Sequence, residues 1–256
     1  MLDKIVEVKK QEVLDLKLRE KEDVTRYSLF ERLSNPNRSI GLIAEVKKAS
    51  PSKGIIKENF NPLEIAKQYE VGGADALSVL TDQKFFLGHH SFLTEIKKDV
   101  NLPLLRKDFI IDSKQIEESV RMGADAILLI AAILDRTQLH EFYQEAYEKG
   151  LECLVEVHSE KELENVFSKF QPQMLGINNR NLQTFETNLT QTIEIGRQLP
   201  KDQFVISESG IVTLDDLQQV KDYVRAVLVG ETFMRAKTPL IGIQTLFGEV
   251  DHETFA

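Results

Sequence analysis

Eight short apolar runs recur along the chain and alternate with longer amphipathic stretches, and this alternation limits the folds open to it. The runs are the candidate strands Ile40–Val46, Ala76–Leu80, Pro103–Arg106, Ala126–Ile130, Leu151–Val157, Met174–Ile177, Gln203–Ser207 and Ala226–Val229. Because they are apolar throughout, both faces of each strand are expected to be buried, as in a parallel sheet covered by helices. Eight units with no leftover domain favour a closed barrel over an open, doubly wound sheet.

The stretches between the candidate strands repeat apolar residues at spacings of three and four, which predicts amphipathic helices. Examples are Pro62–Glu70, Lys114–Met122, Arg136–Lys149, Glu160–Phe170 and Thr213–Tyr223, and Pro239–Phe247 is the eighth helix. Asp135 and Ser159 lie where N-caps are expected, and Gly123 and Gly150 follow helix ends. With 256 residues, the chain has the usual size of one such barrel. The sequence therefore predicts one α/β domain over residues 1–256, with a (β/α)8 TIM barrel at 39–248.

Residues 1–38 precede the first candidate strand and form an extension that a barrel does not require. Leu2, Ile5, Val6 and Val13 give it an apolar side, so the extension is expected to be helical up to the turn at Ser34–Ser39. Such an extension pads one end of the barrel or covers its active-site mouth.

A short echo, Gly-Ala-Asp-Ala, occurs at residues 73–76 and again at 123–126. Both copies place a helix end directly before the next strand, two units apart. The geometry of this junction favours small residues, and duplication of a half-barrel is the alternative. One short echo does not decide between them.

The composition argues against several kinds of partner. The formal net charge is −9, whereas nucleic-acid binding needs a basic surface. A few cations in a cleft can still bind a small anion. The sequence has no run of 18 apolar residues without a charge and no signal-peptide core at its N-terminus, so neither a membrane span nor secretion is expected.

The single cysteine, Cys153, suits a reducing compartment, so a cytoplasmic protein is expected. Its place in an apolar run predicts a core residue and not a nucleophile. The histidines at positions 89, 90, 140, 158 and 252 show no metal-ligand spacing. No metal site is therefore expected.

Polar side chains follow the apolar runs at the strand ends, where barrels of this kind carry their chemistry. These residues are Glu45, Lys47, Arg106, Lys107, Asp108, Glu156, His158, Asn178, Arg180 and Glu208. Each alone could be an ordinary structural group, but together they predict a pocket of mixed charge. In such a pocket a lysine near other cations is pushed toward neutrality and a desolvated glutamate toward protonation. This combination supports general acid–base chemistry on a polar substrate.

Two loops resemble an anion site. Ser209 and Gly210 follow the seventh candidate strand, and Gly230 and Glu231 follow the eighth. Small residues with exposed backbone N–H groups at these two loops commonly hold a phosphate in (β/α)8 barrels. The sequence therefore predicts a phosphorylated substrate.

Seven motifs resemble those of the indole-3-glycerol-phosphate synthase family over nearly the whole chain. They are AEVKKASPSKG at 44–54, LTDQKFFLG at 80–88, LRKDF at 105–109, LVEVH at 154–158, GINNRNL at 176–182, SESGI at 207–211 and LVGE at 228–231. The first is highly specific, whereas SESGI and the last glycine loop fit many phosphate-binding barrels. The family converts 1-(o-carboxyphenylamino)-1-deoxyribulose 5-phosphate into indole glycerol phosphate, carbon dioxide and water in tryptophan biosynthesis, without cofactor or metal.

The resemblance implies catalytic roles for five residues. Lys107 matches the general acid that protonates the ketone oxygen during ring closure, and Glu156 matches the base of the later dehydration. Lys47 and Glu45 are their partners, with no division of labour implied between them. Asn178 is expected to orient a substrate hydroxyl.

The resemblance also implies a set of binding residues. Arg180 and Ser50 are expected to bind the anthranilate carboxylate, with Phe86 near its ring and Glu208 lining the same pocket. The phosphate is expected at Lys47 and at backbone amides of the loops that contain Ser209, Gly210, Gly230 and Glu231. Some relatives carry serine where this chain has Glu231, so its side chain is expected to turn outward.

Three other interpretations stay open from the residues. A sister phosphate-binding barrel, such as phosphoribosylanthranilate isomerase, is disfavoured by the N-terminal extension and the EVKKASPSKG run. An aldolase would form a Schiff base at Lys107. A non-catalytic binding barrel would leave gaps among the polar strand ends, and here every position is filled. A monomer is the expected state.

Overall fold

The computed structural model describes residues 1–181, 184 and 186–250. The helices are α1 (Leu2–Asp15), α2 (Leu29–Ser34), α3 (Pro62–Val71), α4 (Gln83–Phe86), α5 (His90–Asp99), α6 (Ser113–Met122), α7 (Arg136–Glu148), α8 (Glu160–Phe167), α9 (Thr190–Gln198), α10 (Leu214–Val220), α11 (Glu231–Arg235) and α12 (Pro239–Leu246). The strands are β1 (Gly41–Val46), β2 (Ala49–Ser50), β3 (Gly54–Ile55), β4 (Ala76–Leu80), β5 (Leu104–Lys107), β6 (Ala126–Ile130), β7 (Glu152–Val157), β8 (Met174–Asn178), β9 (Phe204–Glu208) and β10 (Ala226–Val229). His252 and Leu182 lie outside the described residues, and the domain limits 1–256 and 39–248 stay predictions.

Eight parallel strands close into a barrel in the order β1-β10-β9-β8-β7-β6-β5-β4. The first and last strands pair directly, with Gly41 opposite Ala226, and β1 also pairs with β4. The predicted (β/α)8 barrel is therefore confirmed. Three of the eight predicted strands have their predicted limits, three differ by one residue at one end, and two are shifted by one residue at both ends. The elements α4, α5, α9, α11, β2 and β3 are additional to those named from the sequence.

Two apolar layers form the core. One lies inside the barrel and includes Ile43, Leu128 and Ile206, and the other lies between the strands and the surrounding helices. The inner layer ends against α2, whose Leu29 and Leu33 are fully buried with it. Burying a leucine side chain contributes roughly 1.5–3 kcal/mol to the free energy of folding. The helix α2 therefore stabilises the barrel by covering the N-terminal end of its core.

The N-terminal extension is only partly helical, which corrects the prediction for residues 1–38. The helix α1 ends at Asp15 and α2 begins at Leu29, and the residues between them carry no helix. Backbone groups of this connection bond to α6 and to the turn between α6 and β6. Glu22 N, for example, donates to Arg121 O at 2.8 Å. The connection runs from the C-terminal mouth, where α1 lies, to the N-terminal end, where α2 lies.

The echoed aspartates perform the same task at the N-terminal end of the barrel. Asp75 accepts hydrogen bonds from Asn37 N (2.8 Å) and Leu42 N (2.9 Å). Asp125 likewise accepts from Tyr27 N (2.9 Å) and from the first residue of β5 (2.8 Å). Each aspartate therefore ties the extension to the start of a neighbouring strand. This shared geometry gives the echo a local structural cause.

We expect Asp125→Asn to lower the free energy of unfolding by about 3 kcal/mol or more, because it leaves the Lys97 ammonium buried without its counter-charge. Both side chains are fully buried, and Lys97 Nζ lies 2.5 Å from Asp125 Oδ2. Urea denaturation at pH 7 measures the change. The matched control is Asp99→Asn, because the Lys67–Asp99 pair is 46% and 45% exposed and should contribute little. Equal losses in the two variants would contradict a stabilising role for the buried pair.

Candidate active site

A cavity of about 660 Å³ opens at the C-terminal ends of the barrel strands. All thirteen residues to which the resemblance gave a catalytic or binding role line it: Glu45, Lys47, Ser50, Phe86, Lys107, Glu156, Asn178, Arg180, Glu208, Ser209, Gly210, Gly230 and Glu231. They come from every part of the chain because parallel strands of a barrel end at one rim. Of the other polar strand-end residues, Asp108 lines the cavity, whereas Arg106 and His158 do not. Met1, Leu2 and Ile5 of the N-terminal segment also line the cavity, so the extension reaches the mouth as well as the opposite end.

Lys107 lies at the centre of the site between two glutamates. Its Nζ is 3.2 Å from Glu156 Oε2 and also bonds to Glu208 Oε2. Both carboxylates are almost fully buried, whereas the lysine side chain is 15% exposed. Lys107 thus connects the ends of β5, β7 and β9 and keeps its ammonium accessible from the cavity.

Neighbouring charges outweigh burial in setting the protonation of Lys107 and Glu156. Burial would lower the pKa of Lys107, but the carboxylates of Glu208, Glu156 and Glu45 outweigh it and hold the pKa well above its ordinary value. Burial would raise the pKa of Glu156, but Lys107 and His158 hold it well below the usual range. The prediction of a near-neutral lysine was wrong because its nearest charged neighbours are anions and not cations.

Glu208 follows the expectation for a desolvated carboxyl group. Burial raises the pKa of Glu208 to about 7, with Glu156 acting in the same direction and Lys107 against it. Its Oε1 has no hydrogen-bond partner in the described part of the chain. That oxygen lies against Gly176, where any Cβ would collide with it. The glycine therefore makes the space that the Glu208 side chain occupies.

A second ion pair lies at the end of β1. Lys47 Nζ is 2.5 Å from Glu45 Oε1. Gly230 lies against the same glutamate, and a Cβ at this position would be 2.6 Å from Glu45 Oε1. The loop after β10 can approach Glu45 this closely only because residue 230 has no side chain.

Ser50 is held by a small hairpin that the sequence did not reveal. The strands β2 and β3 pair antiparallel directly after β1, with Ser50 opposite Gly54. Ser50 Oγ is buried and has no hydrogen-bond partner among the described residues. A buried hydroxyl group without a partner is costly, so this atom is suited to bind a ligand group.

Arg180 and Glu231 approach each other across the mouth. Arg180 Nη2 is 3.8 Å from Glu231 Oε2, and Glu231 Oε1 is 2.9 Å from Arg235 Nε. The expectation that the Glu231 side chain turns outward was therefore wrong, because two arginines draw it along the rim. Asn178 supports this edge by accepting a 3.0 Å hydrogen bond from Arg180 N.

Phe86 belongs to the short helix α4 after β4. Asp82 caps this helix by accepting hydrogen bonds from Phe85 N (2.8 Å) and Phe86 N (3.2 Å). Lys9 of α1 lies 3.0 Å from Asp82 Oδ2 and 2.9 Å from Asp108 Oδ1. It thereby joins the extension to the cap of α4, the helix that contains Phe86, and to the residue that follows Lys107. Sequence reasoning missed Lys9, since a charged residue on an exposed-looking helix carries no signal of burial.

The two predicted anion loops, which follow β9 and β10, contact each other at the cavity. Ser209 and Gly210 have φ values of 65° and 87°, so two successive residues are in the left-handed region. Thr232 Oγ1 donates a 2.7 Å hydrogen bond to Ile211 O and links the loop after β9 to the loop after β10. Successive turn-forming residues of this kind direct backbone N–H groups into a concavity suited to an anion.

A closed (β/α)8 barrel with an ammonium group between carboxylates at its mouth is an α/β-barrel enzyme equipped for acid–base chemistry. The chain belongs to the indole-3-glycerol phosphate synthase family, whose family model matches residues 2–246. The family predicted from the motifs is thereby confirmed, and with it an enzyme of the carbon–carbon lyase class.

Relatives match the chain over nearly its full length. The indole-3-glycerol phosphate synthase of Priestia megaterium is 58% identical over 253 residues, which cover 98% of this chain and 99% of that protein. The enzyme of the same name from Halalkalibacterium halodurans is 56% identical over 249 residues, which cover 97% of each chain. This extent of identity includes the N-terminal extension as well as the barrel.

Solved structures of the tryptophan synthase alpha subunit share the fold. The subunit from Legionella pneumophila has a TM-score of 0.57 and 16% identity, covering 85% of this chain and 94% of that one. A mutant subunit from Pyrococcus furiosus has a TM-score of 0.60 and 14% identity, covering 81% and 98%. At this identity the likeness shows the barrel architecture alone.

Proposed function

We propose that the chain converts 1-(o-carboxyphenylamino)-1-deoxyribulose 5-phosphate into indole glycerol phosphate, carbon dioxide and water. The observation that carries this proposal is the Lys107 ammonium held between Glu156 and Glu208 at the rim of a cavity large enough for such a substrate. Family membership gives the reaction its class. A Schiff-base aldolase would need a neutral amine, and the carboxylates around Lys107 favour its cation instead.

Ring closure is the first step. The anthranilate carbon attacks the ketone of the ribulose chain, and the ketone oxygen gains charge as the new bond forms. Lys107 is protonated before the reaction and donates its proton to this oxygen. An alkoxide is a strong base, so it can take the proton although two carboxylates stabilise the ammonium form. Loss of carbon dioxide then restores the aromatic ring.

Dehydration completes the indole. A base removes a proton and an acid assists the departing hydroxide, and in this proposal Glu156 is the base. Its charged neighbours keep it ionised and thus able to accept a proton. The Glu45–Lys47 pair lies at the same rim, where it can donate a proton to the departing hydroxide, which then leaves as water.

The remaining residues bind and orient the substrate. Arg180 and the unpartnered Ser50 hydroxyl receive the anthranilate carboxylate, and Phe86 packs near the ring. Asn178 orients a substrate hydroxyl, and Glu208 lines the pocket floor. The phosphate binds at Lys47 and at amides of the loops that contain Ser209, Gly210, Gly230 and Glu231.

The test of this function is a fluorescence assay for indole glycerol phosphate with the purified protein and the carboxyphenylamino substrate. Turnover should persist after treatment with a chelator, because acid–base groups of the chain supply each step. Activity that vanishes with metal removal and returns with a divalent ion would overturn the proposed mechanism. Borohydride should trap no covalent adduct, whereas a trapped imine at Lys107 would favour the aldolase.

We expect Arg180→Lys to raise the KM for substrate by roughly tenfold or more, because a planar guanidinium binds a carboxylate through two parallel hydrogen bonds and an ammonium does not. Steady-state kinetics measure KM, and thermal unfolding checks that the fold is kept. Arg235→Lys is the control, since it alters the neighbouring arginine on the other side of Glu231. An unchanged KM in Arg180→Lys would refute the carboxylate assignment.

We also propose that the protein acts in the cytoplasm as a monomer on a small phosphorylated molecule, without nucleic acid as a partner. None of the helices within the described residues is long and apolar enough to cross a membrane. The net charge of −9 supports the absence of a nucleic-acid partner. Light scattering of the purified protein should give one chain, near 29.2 kDa, and a mass twice as large would contradict the monomer.

A further inference from the structure

His158 follows the last residue of β7 and separates two carboxylates. Its Nε2 lies 3.1 Å from Glu156 Oε1, and its Nδ1 lies 3.3 Å from Glu162 Oε2. The ring is only about 10% exposed. Nδ1 hydrogen-bonds to Glu162, whereas the contact of Nε2 with Glu156 has the distance of an ion pair but not the geometry of a hydrogen bond. Carboxylates are acceptors and carry negative charge, so the two contacts favour a ring with a proton on each nitrogen. The surroundings of His158 thus select the imidazolium cation.

Glu162 is itself fixed at the start of α8. Ser159 Oγ caps the helix by accepting from Glu162 N at 3.2 Å. In a capping box the glutamate at this place bonds back to the N–H of the capping residue. Here Glu162 Oε2 instead accepts a 2.8 Å hydrogen bond from His158 N and contacts the His158 ring. One carboxylate therefore holds both the backbone and the side chain of His158.

A third element holds His158 from another side. Gln191 of α9 donates a side-chain hydrogen bond to the His158 carbonyl oxygen. The residue is consequently restrained by the end of β7 and by the first turns of α8 and α9. His158 does not line the cavity, so any influence on the reaction passes through Glu156.

Glu156 receives one cation at each oxygen. Lys107 Nζ lies 3.2 Å from Oε2, and His158 Nε2 lies 3.1 Å from Oε1. The other charged groups facing this arrangement are Glu208 from β9, which shares Lys107, Glu45 from β1, which also acts on Lys107, and Glu162 from α8. Two cations, one at each oxygen, attract the Glu156 carboxylate from opposite sides and lower its affinity for a proton.

We propose that His158 and Glu162 form a positioning pair, in which the imidazolium of His158 orients the Glu156 carboxylate and keeps it ionised while Glu162 holds the imidazolium in place. This inference rests on the proposed function, in which Glu156 is the base. His158 is a positioning residue and not a catalytic one, since it contacts neither the cavity nor the reacting atoms.

The titration of His158 agrees with this geometry. Burial would lower the pKa of His158, but Glu156 and Glu162 raise it to about 10. The ring therefore stays charged from acidic pH up to about pH 10. Replacing it with a neutral side chain removes one of the two cations beside Glu156. The proton affinity of Glu156 then increases. As the pH is lowered, Glu156 should therefore become protonated, and the enzyme inactive, at a higher pH than in the wild type.

The test compares kcat and kcat/KM as functions of pH for the wild type, His158→Gln and Glu162→Gln. An adjacent cation lowers a carboxyl pKa by about one to three units. We expect the acidic limb of kcat/KM to move to higher pH by about one unit in His158→Gln and by less in Glu162→Gln. At neutral pH, kcat should fall while KM changes little. His140→Gln is the control, because that histidine stacks on Phe170 away from the cavity.

The pH profiles of these variants distinguish a positioning role of His158 from a structural one. A uniform fall in kcat with an unmoved acidic limb would reduce His158 to a structural role, and unchanged kinetics would refute the pair outright. If His158→Gln does not fold, Glu162→Gln still reports the shift, since its helix cap at Ser159 is retained. A normal Glu156→Gln enzyme, or an inactive wild type, would instead refute the proposed function. The two failures are thus distinguishable.

Discussion

Lys107→Met should lower kcat by about two to four powers of ten, the usual contribution of a positioned acid, with a smaller effect on substrate binding. Methionine keeps the approximate length of the side chain and removes the proton. The ammonium acts when charge develops on the ketone oxygen, so its loss is felt chiefly in the transition state. Steady-state assays of indole glycerol phosphate formation measure the loss, and binding of an unreactive substrate analogue measures affinity.

The methionine variant also removes the cation that Glu156 and Glu208 share, so a second variant is needed to separate the two effects. Lys107→Arg keeps a positive charge between the carboxylates, but a guanidinium does not release its proton in proteins. We expect the arginine variant to retain stability and still to lose most of its kcat. An arginine variant with nearly normal turnover would show that Lys107 supplies charge and not a proton.

Glu156→Gln should block the reaction after decarboxylation, with a loss of about two to four powers of ten in kcat for the complete reaction. Glutamine keeps the shape of the side chain but cannot accept a proton. Rapid quench of a single turnover should show carbon dioxide release outrunning indole formation. In Lys107→Met, by contrast, neither product should form at an appreciable rate.

The two variants test the assignment against each other. If Lys107→Met decarboxylates normally and then stalls, the roles of acid and base have to be exchanged. Glu186→Gln is a matched control for the glutamate, because Glu186 also lines the cavity but lies outside the cluster around Lys107. It should retain most of the wild-type kcat. A comparable loss in this control would show that any change of charge at the mouth impairs the reaction.

Local sequence determined the eight barrel strands and the strand-end chemistry of this protein. Short runs that are apolar on both faces and alternate with longer amphipathic stretches favour buried strands, and the strands were placed to within a residue. The caps at Asp135 and Ser159 were predictable because a helix needs acceptors for its first N–H groups within the same few residues. All thirteen residues to which the resemblance gave a role reach one cavity because parallel strands of a closed barrel end at one rim.

Tertiary structure alone decided the charges and the long-range partners. The sequence places Lys107 at a strand end, but its protonation depends on which charges lie within a few ångströms. These charges are the carboxylates of Glu156 and Glu208, which lie 49 and 101 residues further along the chain. Lys9 likewise finds Asp82 and Asp108 only when α1 packs on the mouth. The extended course of residues 16–28 follows from bonds to α6 and to the turn between α6 and β6. Propensity and periodicity are local, whereas electrostatic energies depend on distances that only the closed barrel defines.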